Sequence, residues 1–478
     1  MDFVASIAFL VLYYIRPQEW IPGVGVLRPV TLVMGVALWA TFTRKGGFNF
    51  KEVLKTPHDW LMLAYFLWIV GTARNPFAAL GALYNLFVFY VVTVLALSNP
   101  ERIQKYLWWW AALILTLAAL AVASEYGFDP MGSRDITHGA MQGRLSLGTG
   151  LFNNPNGLGH SVGPVLLLLY FLLVWNRLIF VAATSIPDYA LSVYCIYLTA
   201  SKGSFLSAAA TATVALCFGR PKLVQIGIVI TALSVGAVGL KQLPRMASMD
   251  NTKSDEGIQR RLIAFQFGYR AMRDNLTGLG YGTFVDRIAS VWRQKSASPH
   301  SSYVHVGAEF GRPGFFLFCG ILYACYRTLL AARTTSTEEE RVRRLLFALL
   351  LSFTISSWMI DWSVRAYFFL IVAATASFHR YLVQKEKVLA TEKAKAGGAT
   401  ASQAALAPEP PDSAWRRPRL GRVGDGTRAT FAARKRQETL PEGATRPFWN
   451  QLRLADFAMI GGVTFLTMMF WRYVMMNV

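Results

Sequence analysis

Long runs of apolar residues, free or nearly free of charge, recur along this chain. Each run holds about 15 to 22 residues, the length that a helix needs to cross a hydrocarbon layer about 30 Å thick. Lipid offers no partner to a free backbone N–H or C=O group, so segments of this kind cross as helices. Hydrophobic residues make up 54% of the 478 residues and charged residues only 16%, which excludes a soluble protein of several domains. The sequence therefore predicts an all-α, polytopic helical integral membrane protein.

The apolar runs predict about 12 transmembrane helices and one additional C-terminal span. We expect them near residues 1–15, 30–43, 59–73, 81–97, 105–123, 157–175, 178–199, 204–218, 223–240, 306–326, 345–361, 366–384 and 455–476. The pair Pro187-Asp188 predicts a break in the span that starts at residue 178.

Basic residues distinguish the two sides of the membrane. They are concentrated in the loops after the second, eighth and tenth spans, which predicts that those loops are cytoplasmic. The loops 16–29, 124–156, 200–204, 241–305 and 361–365 then face the other side, which is the periplasm in a Gram-negative host. The net charge of +21 is spread over short loops and a tail, so it suits contact with anionic membrane lipids and not binding of nucleic acid.

The chain divides by composition into three parts. Residues 1–384 hold the predicted membrane domain, and 241–305 is its longest polar segment. Residues 385–453 are rich in Ala, Pro, Gly, Arg and Lys, which predicts a disordered basic cytoplasmic linker. Residues 454–478 form the predicted last transmembrane helix.

The polar segment 241–305 contains an expected amphipathic helix. Apolar residues recur at helical spacing from Ile258 to Tyr269, with arginines between them. Arg260 and Arg261 stand in the first turn, where exposed N–H groups and the helix dipole favour an anion. The two arginines therefore either bind a phosphate group or contact lipid head groups.

Polar residues also mark the start of two other spans. Asn154 and Asn156 precede the span at 157, where helix N–H groups could meet phosphate or sugar hydroxyls, although Asn-Pro and Asn-Gly are also ordinary turn formers. Lys202 lies close to the outer boundary of the span predicted at 204–218. It either pairs with an anionic ligand or extends its ammonium group to the surface.

His300 is the candidate for acid–base chemistry. It precedes the span at 306, and a neutral imidazole there can accept a proton near physiological pH. A lone histidine can also be an ordinary interfacial polar residue. His305, five residues on, does not share its helical face, so the sequence predicts no metal site and tolerance of His305→Ala.

A family resemblance connects these segments. His300-Ser301 is followed after nine residues by Gly311-Arg312-Pro313-Gly314, a pattern that resembles the O-antigen ligase and polymerase family of bacterial membrane glycosyltransferases. The alternating glycines of 278–284, the Asn-Asn-Pro-Asn-Gly segment and a Ser-basic-Gly turn occur in that family in the same order. The resemblance covers roughly residues 140–320, although Lys202 stands where the family usually has arginine. The segment 15–20, IRPQEW, resembles the branch of O-glycosylation ligases associated with exosortase systems.

The resemblance implies transfer of a glycan from an undecaprenyl-pyrophosphate carrier to a glycan, lipid or protein acceptor. The reaction would take place at the outer face of the bacterial inner membrane, without a nucleotide sugar, a metal or another cofactor. In this interpretation Lys202, Arg260 and Arg261 hold the pyrophosphate, Asn154 and Asn156 contact the substrate, and His300 is the catalytic base. A polymerase of the same family and a transporter of lipid-linked substrates are the alternatives.

Overall fold

The computed structural model describes residues 2–43, 53–176, 178–218, 220–242, 256–292, 298–405, 449 and 451–477. Regular secondary structure within these residues is helical, which confirms the all-α prediction. The first nine helices are α1 (Asp2–Ile15), α2 (Pro17–Trp20), α3 (Pro29–Phe42), α4 (Pro57–Thr72), α5 (Pro76–Ala96), α6 (Pro100–Glu125), α7 (Ser133–His138), α8 (Pro155–Leu169, continued by a π-turn at Tyr170–Val174) and α9 (Ile179–Thr184). The next nine are α10 (Ile186–Leu198), α11 (Lys202–Cys217), α12 (Lys222–Gln242), α13 (Glu256–Asp274), α14 (Phe284–Trp292), α15 (Ser302–Ala331), α16 (Thr337–Ser356), α17 (Ala366–Ala405) and α18 (Leu454–Asn477).

Seven helical segments in the described part of the chain are long and apolar enough to cross a membrane. They are Pro76–Ala96, Pro100–Glu125, Pro155–Val174, Ile179–Leu198, Ser302–Ala331, Ala366–Glu392 and Leu454–Met476. The other predicted spans also coincide with helices, but these are shorter, less apolar or, as in α16, begin with several glutamates. A polytopic membrane protein is confirmed, whereas the predicted number of spans stays a prediction.

Two span boundaries differ from the sequence prediction in ways that matter for function. The predicted break at Pro187 is present, because α9 ends at Thr184 and α10 begins at Ile186. The span expected at 345–361 ends earlier, at Ser356, so residues 357–365 form a longer loop than the predicted 361–365.

Different sets of residues contact one another at the two ends of the helical body. At one end, the Arg344 guanidinium near the start of α16 donates to the Phe218 carbonyl at the end of α11 (3.1 Å), and both residues lie beside loops that are predicted to be cytoplasmic. At the opposite end, the Gly150 N–H donates to the Glu19 carboxylate (2.7 Å), which joins two loops predicted to face outward. Each contact joins segments that the sequence predicts on the same side of the membrane, and the side that each end faces stays a prediction.

The predicted amphipathic helix of the segment 241–305 is α13, which we call the lid helix. It packs along α15, and a second short helix, α14, follows it. Residues 243–255 and 293–297 of the segment lie outside the described residues. Its extracytoplasmic location stays a prediction.

The chain divides into two compact units, residues 1–382 with 450–478 and residues 383–449. In the smaller unit, α17 continues to Ala405, so the predicted start of the disordered linker at 385 falls within a helix. Residues 406–448 of the predicted linker lie outside the described residues. The helix expected at 454–478 is present as α18.

Candidate functional site

Three helix N-termini with polar caps meet at the end of the body that carries the predicted outward loops. Asn154 caps α8, Ser201 caps α11 and Ser301 caps α15, each through a side-chain oxygen that accepts a backbone N–H. Helices α8 and α11 lie in close contact, because a Cβ at Gly159 would approach the Ser204 hydroxyl to 2.5 Å. The site is therefore built from exposed helix ends on a closely packed frame.

His300 has a strained backbone, with φ at +46°. Side chains other than glycine rarely adopt this left-handed conformation, and it persists only where neighbouring contacts impose it. Those contacts come from the 357–365 loop: the Ser301 hydroxyl donates to the Ser357 carbonyl (3.0 Å), and the Ser302 hydroxyl donates to the Ile360 carbonyl (3.1 Å). The 357–365 loop thus anchors Ser301 and Ser302, and these two residues hold the backbone of His300 in its left-handed conformation.

The environment of His300 favours the neutral imidazole. Burial, followed by the nearby Arg261 guanidinium, lowers the pKa of His300 to about 4, and the Asp361 carboxylate opposes this effect. At neutral pH the ring is therefore unprotonated and available to take a proton from a hydroxyl group, as a weaker base than an ordinary histidine. Arg261 also lies near enough to His160 on α8 to interact with it electrostatically. The structure thus brings His300, Arg261 and Asp361 together.

The two lid arginines differ in orientation. Arg261 is half-buried and lies on the same face as Ala264, Gly268 and Ala271, which are buried. Arg260 is exposed on the neighbouring face. Helical spacing therefore directs Arg261, and not Arg260, toward the packed side of the lid helix where His300 lies.

Lys202 is the first residue of α11 and is half-buried. Within the described residues, its ammonium group makes no hydrogen bond or ion pair. A Cβ on the adjacent Gly203 would lie 3.3 Å from the His160 ring and 3.0 Å from the Met359 sulfur. Lys202 thus presents a cation beside the 357–365 loop, where an anionic ligand could neutralise it.

Asn154 and Asn156 have structural partners. The Asn154 side chain accepts the N–H of Asn156 (2.9 Å). The Asn156 side-chain oxygen accepts hydrogen bonds from the Ser201 hydroxyl (2.8 Å) and the Arg144 guanidinium (3.0 Å). These asparagines fix the ends of α8 and α11, and in this way they position Lys202. Arg144 was not identified from the sequence.

A chain of ionisable groups, in which His305 and Glu309 are buried and Asp361 is half-buried, lies next to His300 and was also missed. His305 Nε2 is 2.9 Å from a Glu309 oxygen, and His305 Nδ1 is 2.9 Å from an Asp361 oxygen. Both ring nitrogens face carboxylates, so both donate and the ring is a cation between two anions. Burial raises the pKa of Asp361, but His305 and Ser363 lower it more, and it lies below its ordinary value. The expectation that His305 is dispensable is therefore revised.

Glu309 connects these ionisable groups to the glycine-rich segment 278–284 through hydrogen bonds. Its carboxylate accepts the N–H groups of Gly282 (2.6 Å) and Phe284 (2.8 Å). Gly278 and Gly311 both have positive φ and lie backbone against backbone, with a Cβ on Gly278 reaching the Glu309 carbonyl at 2.4 Å. The alternating glycines allow this contact, so they attach the end of the lid helix to α15.

An apolar cavity of about 820 Å³ lies below the site, between α8, α10, α11 and α12. Phe205, Ala208, Ala212 and Leu216 line it along α11, so it begins one turn from Lys202 and follows the helix away from the site. Its walls are suited to a hydrocarbon chain. Within the described residues, no group of three or more His, Cys, Asp or Glu side chains is arranged to hold a metal ion.

Residues 189–319 match the family model described as O-antigen ligase. The matched stretch contains Lys202, Arg260, Arg261 and His300, whereas Asn154 and Asn156 lie outside it. No curated protein matches the chain significantly. This similarity supports a glycan ligase or polymerase role, and proteins of that family description imply a lipid-linked donor and an acceptor. The exosortase-associated branch stays a prediction.

Proposed function

We propose that this chain, an O-antigen ligase family member by its match over 189–319, is a glycan ligase at the outer face of the bacterial inner membrane. It would transfer an oligo- or polysaccharide from undecaprenyl pyrophosphate to a glycan, lipid or protein acceptor. The observation that carries the proposal is His300 with a lowered pKa beside the Arg261 guanidinium. The Lys202 ammonium group lies at the N-terminus of α11, where the adjacent Gly203 approaches Met359 of the 357–365 loop.

The proposed reaction is one displacement at the anomeric carbon of the donor sugar. The acceptor hydroxyl oxygen forms the new bond to that carbon, and the bond from carbon to the pyrophosphate oxygen breaks. His300 takes the hydroxyl proton, which its neutral ring can accept. The bond's electron pair leaves with undecaprenyl pyrophosphate. No oxidant, nucleotide or metal is needed, because the lipid pyrophosphate is already a good leaving group.

Lys202 and Arg261 would stabilise the charge that develops on the leaving pyrophosphate. They lie on different helices, α11 and the lid helix, so each can contact the anion independently of the other. Arg260, on the exposed face, would contribute at the rim of the site. The polyprenyl chain would lie in the apolar cavity along α11, which starts one turn from Lys202.

Reconstitution distinguishes the ligase from its alternatives. The purified protein in liposomes receives lipid-linked repeat units alone or together with an acceptor such as lipid A core, and products are separated by size. A ligase forms product only when the acceptor is present. Chain growth from the donor alone would favour a polymerase of the same family, and movement of donor across the bilayer without a new glycosidic bond would favour a transporter. Excess chelator should leave the rate unchanged.

A further inference from the structure

The C-terminal helix α18 lies outside the segment that matches the family, yet it contacts the lid helix. Most of α18 faces away from the protein, since only 17% of its apolar window is buried. Asp456, Ile460 and Trp471 are the buried side chains among its described residues. These positions share one face of the helix, so the docking of α18 depends on a few contacts.

Trp471 is the largest of these contacts and is 0% exposed. Its indole ring fills a slot made by two glycines on different helices. A Cβ on Gly307 of α15 would lie 2.8 Å from the indole, and a Cβ on Gly268 of the lid helix would lie 3.3 Å from it. Trp471 also packs edge-on against Tyr269, with ring centroids 5.6 Å apart. The indole therefore touches both the lid helix and the span that begins beside His300.

The other end of α18 is attached to the same span. The Asp456 carboxylate, buried and at the first turn of α18, pairs with Arg327 of α15 and accepts the Tyr323 hydroxyl (2.9 Å). Ile460 packs near Gly320 between the two attachments. Helix α18 is thus fixed along α15, and Trp471 meets the lid helix from a fixed base.

The lid residue that Trp471 supports is aligned with the proposed phosphate ligand. Gly268 lies seven residues after Arg261, which places both on the same face of the lid helix two turns apart. This face carries the buried residues of the helix. A shift of the lid helix at Gly268 would therefore move Arg261 relative to His300.

We propose that Trp471 is a positioning residue for the transfer reaction: it holds the lid helix against α15 so that Arg261 reaches the donor pyrophosphate. The inference rests on the proposed function for its kinetic part, whereas the structural part concerns the lid alone. Its indole N–H makes no hydrogen bond within the described residues, so shape, and not the N–H group, is what the slot requires.

Hydrogen exchange of the lid helix and donor kinetics test the proposal together. The full-length protein in lipid nanodiscs is compared with Trp471→Ala, Trp471→Phe and Phe465→Ala, the last a control on the lipid-facing side of α18 at 60% exposure. We expect amides of 256–274 to exchange about tenfold faster in Trp471→Ala, because the helix loses the buried indole that packs against Gly268 and Tyr269. The KM for the lipid-linked donor should rise more than kcat falls, with kcat/KM lower by about 10- to 100-fold. Trp471→Phe should retain most of both properties, and Phe465→Ala should match the wild type.

The Gly307→Ala variant approaches the same contact from the other side, because its Cβ would also lie 3.0 Å from the sulfur of Met272 on the lid helix. Gly307→Ala should increase exchange in the lid helix as Trp471→Ala does. It replaces Trp471→Ala in the experiment if the Trp471→Ala protein does not accumulate. Wild-type exchange in the lid helix of both variants would overturn the inference, and so would a loosened lid with an unchanged donor KM. A wild-type protein without transfer activity would instead refute the proposed function, and the exchange data would still decide whether Trp471 holds the lid helix.

Discussion

The acid limit of transfer should move to higher pH when Arg261 is replaced by glutamine. His300 acts as a base only while neutral, so kcat/KM of the wild type should fall as the pH drops through about 4, the lowered pKa of this histidine. A cation near the ring disfavours the imidazolium form. Removing that cation must therefore raise the pKa of His300 and shift the acid limb upward.

The size of the shift follows from the partial exposure of the two groups. Unit charges near a protein surface interact by about 1 to 4 kcal/mol. Arg261 is half-buried, so solvent screening favours the lower end of this range. An interaction of about 1.4 kcal/mol corresponds to one pKa unit, which places the acid limb of Arg261→Gln near pH 5.

The assay is the initial rate of transfer at subsaturating donor concentration between about pH 3.5 and 8 in proteoliposomes. Arg260→Gln is the matched control, because it removes an equal charge from the exposed face of the same helix. Ionisation of the donor pyrophosphate affects all variants equally and cancels in the comparison. An acid limb that stays in place or moves to lower pH in Arg261→Gln would refute the argued electrostatic coupling.

Three other substitutions test separate parts of the site. His305→Gln leaves the buried Glu309 carboxylate and the half-buried Asp361 carboxylate without the imidazolium between them. Unfolding in detergent should therefore become easier by about 3 to 5 kcal/mol, and transfer should be lost. A near wild-type melting temperature would contradict this. Lys202→Ala should slow transfer roughly 30- to 800-fold, whereas Lys202→Arg should keep most of the wild-type rate. Initial rates at increasing donor concentration measure this difference. Equal rates for the two variants would contradict the assignment of Lys202 as a phosphate ligand. Gly278→Ala should destabilise the protein more than Gly282→Ala, because Gly282 has a similar φ but open space around it. Equal melting temperatures of the two variants would contradict the close backbone contact between Gly278 and Glu309.

Much of the fold could be predicted because membrane crossing leaves a strong local pattern. The apolar runs gave the positions of the helices, and Pro187 gave the break between α9 and α10. The lid helix followed from the spacing of its apolar residues, although the sequence alone did not separate the roles of Arg260 and Arg261. That difference depends on which face packs against α15, and a helix pattern without its partner does not specify it.

The chain of Asp361, His305 and Glu309 could not be predicted for a different reason. Asp361 was placed at the end of a span, because the apolar run before it continues past the last helical residue, Ser356. The sequence pairs His305 only with its neighbour His300, whereas its partner Asp361 lies in the 357–365 loop beyond α16. Long-range pairing of this kind is fixed by tertiary packing. The Asp-Trp-Ser sequence that interrupts the apolar run at 361–363 was the available indication of a polar loop.

The most direct test of the account is transfer by variants of His300 in the reconstituted system. His300→Asn suits the left-handed backbone at this position and removes the base, so it separates catalysis from folding. His300→Ala removes the ring altogether. We expect a rate about 10²- to 10⁴-fold lower for both variants, with protein yield, melting temperature and donor binding close to those of the wild type. Transfer at the wild-type rate by His300→Asn would contradict the central claim.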